Sequence, residues 1–315
     1  MDDDAPFDTA SPVAVVGAGA VGTALARRLV TGRIPVQAIL SRTVADAQAL
    51  ADRVGAPVAS DEWTALPESV RLVMLCVPDD ALPAVAEALA AVDHPWERTI
   101  VGHTAGARTA EVLAPLAHEG AATLSFHPLQ TYTAGTPPEA FDDITIGIEG
   151  DPDAVAAGKA LARALGARPV VLTARAKALY HCAAALASNG LVALMAVVEE
   201  LLAAADVETE GQSAAALMAP LVKQTWANLE AAPPEGVLTG PVARGDEETV
   251  AAHLEALEES TSHLLPLYAA LSTEMTRVAV RGGQLDGDTA EKLLQMLQKT
   301  LQSSSDDIAP FGSSH

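Results

Sequence analysis

Short apolar runs alternate with helix-length amphipathic stretches through the first half of the chain, and after Thr173 the short runs cease. Residues 12–16, 36–40, 70–77, 99–102, 122–126, 144–148 and 169–172 read as strands. The run 70–77 (VRLVMLCV) is apolar almost throughout, as a strand buried on both faces requires. Between the runs, 23–31, 44–54, 81–92, 109–118 and 152–165 carry helical spacing, the first opening near Ala20. Gly32 and Gly55 are stop signals, and Thr43 with Asp46 three residues on is a helix-capping pattern. Strand, helix, strand at this rhythm predicts parallel strands joined by crossover helices, a doubly wound α/β parallel sheet. Beyond Thr173 the pattern is helical only: one long stretch over 174–206, roughly 45 Å at 1.5 Å per residue, then 212–230, 247–258, 261–281 and 289–302. The predicted organisation is a leader at 1–11, an α/β domain at 12–173, an all-helical domain at 174–302 and a tail at 303–315. The two ends are polar and acidic and read as disordered.

Charge narrows the partners. The formal net charge is −22, which repels nucleic acid and anionic membrane surfaces and leaves a small molecule as the expected ligand. His181, Ser188, Asn189, Glu199 and Glu200 interrupt the longest apolar segments, so none is expected to span a bilayer. Cys76 and Cys182 stand outside any C-x-x-C pair and read as buried, reduced thiols, which predicts a cytoplasmic location. No metal site is expected.

The first strand runs into Gly17-Ala18-Gly19-Ala20-Val21-Gly22 and then into a helix. A lone G-x-G-x-x-G says little, but after a strand and before a helix each glycine has a task. Gly17 permits the tight turn, Gly19 admits a pyrophosphate to the backbone, and Gly22 lets helix and strand pack closely. The helix start, with Ala20 and Val21, offers free N–H groups to the anion. This predicts a Rossmann-like dinucleotide-binding domain. At the end of the second strand an NAD site places a carboxylate; here stand Ser41, Arg42 and Thr43, which suit the 2′-phosphate of NADP. Ser41 and Thr43 could instead serve only to cap the next helix. Val77, Pro78 and Asp79 follow the third run and Thr104 and Gly106 the fourth, both expected to line the cofactor crevice, although Asp79 and Asp80 could equally cap the helix that follows.

Further polar residues point to the same crevice. Phe126-His127-Pro128-Leu129-Gln130-Thr131-Tyr132 follows a strand, and His127 and Gln130 are expected to bind substrate. On the long helical stretch Lys177, His181 and Ser188 fall within one face and Asn189 at its edge. A polar stripe on an apolar helix is costly unless its groups find partners. A cleft between the domains would supply them, with His181 or Lys177 as general acid, Asn189 completing the catalytic group by holding the substrate, and Ser188 also binding it. Arg244, in the turn before a predicted helix, either clamps a substrate carboxylate or pairs with an acidic neighbour.

The motifs GAGAVG, SRT, HTAG, FHPLQTY, YHCAAALASN and LTGPVARGD occur in that order over about 12–302. In this the chain resembles a bacterial family that joins a Rossmann-like N-terminal domain to a C-terminal domain of unknown function. That family is similar to the pyrroline-5-carboxylate reductases and deazaflavin-dependent NADP reductases, and distantly to the 6-phosphogluconate and β-hydroxyacid dehydrogenases. The resemblance implies an NADP-dependent oxidoreductase acting on a small carbonyl, imine or hydroxy acid, with a helical domain of the 6-phosphogluconate-dehydrogenase type and a homodimer formed through it. It also admits a deazaflavin, an NAD-linked dehydrogenase, or a non-catalytic dinucleotide sensor. Lys177 and Asn189 resemble the Lys and Asn of the β-hydroxyacid dehydrogenases at a longer spacing, and His181 falls in the family's own motif. The family usually has Ser where this chain has Ala105.

Overall fold

The structure is a computed structural model and describes residues 10–304. The expected disordered ends fall outside it, apart from Ala10, Ser11 and the close of the last helix. By internal contacts the chain divides into two units, one ending at Ser188 and the other beginning at Asn189.

The first unit is built on eight strands: β1 (Val13–Val16), β2 (Val36–Leu40), β3 (Val58–Ser60), β4 (Leu72–Leu75), β5 (Ile100–His103), β6 (Ala122–Pro128), β7 (Thr145–Gly150) and β8 (Arg168–Val171). They form one sheet in the order β3-β2-β1-β4-β5-β6-β7-β8. The helices are α1 (Ala20–Thr31), α2 (Val44–Val54), α3 (Leu82–Ala90), α4 (Ala114–His118), α5 (Pro152–Ala164) and α6 (Ala174–Ala187). Successive residues of β1 serve opposite faces. Val13 and Val15 join a core with Leu25, Leu29 and Leu161, while Ala14 and Val16 join another with Leu82, Leu89 and Trp96. Two cores on two faces of one sheet are what the doubly wound reading predicts. The strand order reverses at β1, with β2 on one side and β4 on the other, which opens a crevice beyond the carboxyl ends of these strands.

The sheet departs from the expected parallel arrangement in one place. β7 runs antiparallel to β6, pairing Ser125 with Glu149 and His127 with Gly147, and β8 then lies parallel to β7. The cause is the connection. Between β6 and β7 there is only the short 3₁₀ turn Pro138–Phe141 and no crossover helix, so the chain returns in the opposite direction. β3 is three residues long and too short to show in the pattern. The expected helix at 109–118 is a 3₁₀ turn, Ala110–Leu113, followed by α4, because Pro115 has no N–H to donate back into the preceding turn. Thr43 caps α2 as expected, accepting from the Asp46 N–H, and Gly55 ends it in the left-handed conformation.

The second unit contains α7 (Asn189–Ala204), α8 (Ala214–Ala231), α9 (Pro234–Val237), α10 (Pro241–Arg244), α11 (Glu247–Ser260), α12 (Leu265–Arg281) and α13 (Gly287–Ser304). α9 and α10 occupy what reads in the sequence as plain turn. The core holds Val242, Val250, Ala269, Ala279, Leu293 and Leu297. The expected single helix over 174–206 is two, parted at Ser188 (φ −108°, ψ −71°), where Ser188, Asn189 and Gly190 are all poor helix formers. α7 buries no residue, and with α11 and α12 it lines an apolar cavity of about 440 Å³. Two expectations change here. The stretch Ala174–Ala204 is long and apolar enough to cross a membrane by length and composition, with its most apolar window unburied. Cys182 is exposed rather than buried, since within its own unit α6 buries only Lys177.

β6 carries the residues of greatest interest, and Asp151 anchors its start. The Asp151 carboxylate accepts from the Thr123 N–H at 2.7 Å and from the Thr123 hydroxyl at 3.1 Å. Asp151→Ala strands both donors in a part-buried site and is expected to cost about 1–3 kcal/mol. The check is the urea unfolding midpoint at unchanged slope.

Candidate functional site

The glycine loop divides by physical demand. Gly17 has φ +105°, and a Cβ there would lie 2.4 Å from the Cys76 carbonyl oxygen. A Cβ on Gly22 would lie 1.9 Å from the Gly17 carbonyl oxygen. The fold therefore requires both glycines. A Cβ on Gly19 would meet nothing within 4 Å, although Gly19 is the N-cap of α1 and has no side chain to cap it. Ala20 and Val21 follow in the first turn, which contains no acidic residue. At the end of β2, Ser41 is buried and donates its N–H to Ser60, while Arg42 is exposed and takes part in no ion pair among the described residues. The Thr43 hydroxyl donates to the Asp46 carboxylate at 2.6 Å, so capping occupies it.

At the ends of β4 and β5, Val77 is half-buried and Pro78 and Asp79 are exposed. Neither Asp79 nor Asp80 caps α3, which starts at Leu82 without a side-chain cap. The Cys76 thiol is pushed up to about 12 by burial, opposed by a hydrogen bond from Thr104, and is inert. His103 is wholly buried. Its Nδ1 accepts from the Ala105 N–H at 3.1 Å, so Nε2 carries the proton and donates to the Thr109 carbonyl at 3.1 Å. This imidazole pins the loop that holds Thr104 and Gly106.

α6 lays Lys177 and His181 over the end of β6. Lys177 has no exposed surface, and its Nζ donates to Ser125 Oγ at 2.5 Å. Burial lowers the Lys177 pKa to about 8, against the pull of Glu149 and Asp79. His127 and His181 are half-buried and meet edge to face, with ring centroids 5.5 Å apart. Tyr180 packs edge-on against His127 at 5.8 Å. Gly106 makes room: a Cβ there would lie 2.2 Å from His181 Nδ1 and 3.0 Å from His127 Nε2. Burial first, then the charges of Lys177 and His181, lower His127 to about 4. His103 is also lowered to about 4, by burial above all. The Nδ1 atoms of both His127 and His181 are buried without a hydrogen-bond partner.

Lys177, His127, His181 and Gly106 thus come together within the first unit. Gln130 does not join them; it is exposed and its Oε1 accepts from the Thr131 N–H. Ser188 ends α6, its N–H donating to the Ala184 carbonyl. Asn189 opens α7 and Arg244 closes α10, both in the second unit, and the Arg244 guanidinium lies 4.0 Å from the Asp246 carboxylate. The pattern of the sequence does not single out Ser125 or Glu149, and it gives His103 only as the first residue of HTAG, with no role of its own. The two-residue step from Ser125 to His127 in a predicted strand was the available signal for the first.

A Rossmann-like domain model matches residues 7–128, and a model for a domain of unknown function, DUF2520, matches 144–275. The chain carries a Rossmann-like domain followed by DUF2520. The DUF2520 match begins ahead of β7, inside the sheet, and runs into α12. Comparison with curated proteins finds no match. Among solved structures the chain is similar to a candidate NADP oxidoreductase of Bacteroides fragilis (24% identity, 85% of this chain and 98% of that one, TM-score 0.68). It is also similar to a reductive aminase of Aspergillus terreus solved with NADPH and ethyl-5-oxohexanoate (19%, 93% and 94%, 0.58). An imine reductase of Myxococcus stipitatus solved with NADP+ is a third (16%, 90% and 99%, 0.60). At these identities the likeness is one of fold.

The two depressed imidazoles set a pH dependence. In the unfolded chain His103 and His127 take a proton near pH 6.5, and in the folded chain only near 4. Between those values the unfolded state binds more protons, so stability rises with pH and is lost as pH falls from about 6.5 toward 4. The unfolding temperature is expected to drop across that window, and His127→Asn to make the drop shallower.

Proposed function

We propose that the protein is an NADP-dependent reductase of a small carbonyl, imine or hydroxy-acid-type substrate, working in the crevice of its Rossmann-like unit. The observation that carries this reading is Gly19. Its neighbours in the motif are glycine because the fold leaves no room, but at Gly19 the fold leaves space. A small residue kept where the protein itself demands none fits a ligand that approaches the backbone there, as a pyrophosphate does at a helix N-terminus. Arg42, exposed and unpaired among the described residues, supports a 2′-phosphate and hence NADP over NAD. The fold neighbours solved with NADPH or NADP+ agree with it and lend no support to a deazaflavin.

Bound NADPH would supply the hydride. The chain's own residues supply the rest. His181 is the better candidate for proton donor, because it is half-buried with its ring at the end of β6, whereas Lys177 has no exposed surface from which to reach a substrate. His127 lies beside it and would orient the polar atom of the substrate. Thr104, Gly106, Val77, Pro78 and Asp79 form the crevice wall at the ends of β4 and β5. Asn189 and Arg244 carry no part of this reading. Both cysteines are free, which fits a cytoplasmic protein.

A homodimer is the second part of the proposal. Leu179, Leu186, Val192, Leu221 and Trp226 are each more than half exposed, and α7 buries nothing. Large apolar side chains left exposed on each of these helices mark faces meant to be covered.

Two measurements test these readings. Calorimetry is expected to show micromolar NADPH binding with NADH at least about tenfold weaker, a difference of ~1.4 kcal/mol. Arg42→Ala should narrow that gap. Gly19→Ala should weaken both ligands without lowering the unfolding temperature. No binding of either dinucleotide to the wild type overturns the assignment. Sedimentation of the wild type is expected to give a dimer, and Leu221→Glu with Trp226→Glu to give monomer; a wild-type monomer refutes the dimer.

A further inference from the structure

The meeting of β6 and α6 has a regular geometry. Ser125 and His127 are two residues apart on a strand, so they share a face and stand about 6.6 Å apart. Lys177 and His181 are four residues apart on a helix, so they share a face and stand about 6 Å apart. The two steps match, and the side chains meet rung by rung. The inner rung is Lys177 on Ser125 at 2.5 Å, with neither residue exposed. The outer rung is His127 against His181, both half-buried.

The inner rung holds a charge without a counter-charge in contact. Lys177 takes part in no ion pair among the described residues, and its one hydrogen bond goes to a neutral hydroxyl. Glu149, opposite Ser125 on β7, uses an oxygen on the Ala110 N–H at 2.8 Å, and Asp79 acts on Lys177 only through space. From β5, His103 is fixed in its neutral form by two backbone partners. From α6, Tyr180 turns a ring edge to His127 and contributes no charge. Gly106 adds none. An ammonium held beside an imidazole by a hydroxyl, with no carboxylate paired to it among the described residues, opposes a second positive charge on that imidazole.

We infer that Ser125 is a positioning residue: it holds the Lys177 ammonium beneath His127, and the pair adds to burial in keeping His127 uncharged, so that it meets substrate as a neutral hydrogen-bonding imidazole. The division of labour follows. His127 orients without giving up a proton, and His181, at the other end of the outer rung, is left as the donor. Only this catalytic meaning rests on the proposed reduction; the electrostatic relation stands or falls on its own.

The experiment follows the histidine resonances of the full chain by NMR across pH, with His127 assigned from His127→Asn. In the wild type His127 is expected to titrate near 4, with a second, small inflection near 8 as Lys177 loses its proton. In Lys177→Met the His127 midpoint should rise by about one pH unit. Ser125→Ala should raise it by less, and Ser125→Thr should restore it. An unmoved midpoint in a folded Lys177→Met protein overturns the inference. If that variant does not fold, the wild type decides: the inflection near 8 supports the coupling and its absence overturns it. Calorimetry with NADPH runs beside this. Loss of NADPH binding in the wild type defeats the reductase reading and leaves the titration result intact. With turnover established, Ser125→Ala should lower kcat without changing the NADPH Kd, and equal losses in both would overturn the positioning role.

Discussion

The constraint on which the candidate site depends is the burial of one lysine. Withdrawing an ammonium from water costs several kcal/mol unless partners offset it, and Lys177 has a single neutral partner, Ser125. What keeps it there is the packing of α6 across the end of β6. Phe126 is wholly buried, Tyr180 closes on Gly147 and His181 closes on Gly106. Both contacts work only because the residue beneath is glycine. The burial also explains the neighbours. His127 and His103 are lowered first by their own desolvation and then by Lys177, so the strand ends carry neutral imidazoles in place of a cluster of positive charge. In a chain of net charge −22 this small basic centre is out of character, and the acidic groups it feels are Glu149 and Asp79.

Sheet topology then determines what that centre can face. The order reverses at β1, so the glycine loop after β1, the turn after β4 and the loop after β5 all open on the carboxyl-end edge. β6 is parallel to β5 and delivers Ser125 and His127 to the same edge. The reversal of β7 turns the chain back and places Glu149 opposite Ser125. Had β7 been reached by a crossover helix, as β6 and β8 are, that carboxylate would not lie where it does. A single change in strand direction thus supplies the opposing charge that Lys177 feels most strongly.

Much of this was legible in the sequence, for identifiable reasons. Apolar runs separated by amphipathic stretches are the direct imprint of strands buried on both faces, and the glycine motif was credible because it stood between a strand and a helix. Strand direction was not legible, because it belongs to the connection and the residues between β6 and β7 carry no periodic pattern. The break at Ser188 hid inside an unbroken apolar composition, although Ser-Asn-Gly was its signal. The polar stripe on α6 was visible, but its meaning shifted: the sequence offers Lys177 to a wet cleft, and the fold buries it against a serine that no motif marks. Cys182, read as buried because most cysteines are, is exposed because little in its own unit covers α6.

The site also shows how demands of the fold separate from demands of a ligand. Gly17 and Gly22 are fixed by atoms less than 2.5 Å from where a Cβ would stand, and His103 by two backbone partners. These residues are explained without anything bound. Gly19 has open space in front of it, and the Nδ1 atoms of His127 and His181 have no protein partner. An unpartnered buried polar atom costs about 1–3 kcal/mol, and a glycine with no steric reason carries an entropic cost of up to about 1 kcal/mol. A fold selected for stability alone would discard such costs. They fall at two places on the same strand-end edge, one at the start of α1 and one at the end of β6. A ligand with a polyanionic end and a reacting end would meet both, and a bare phosphate or a lone small acid would meet only one.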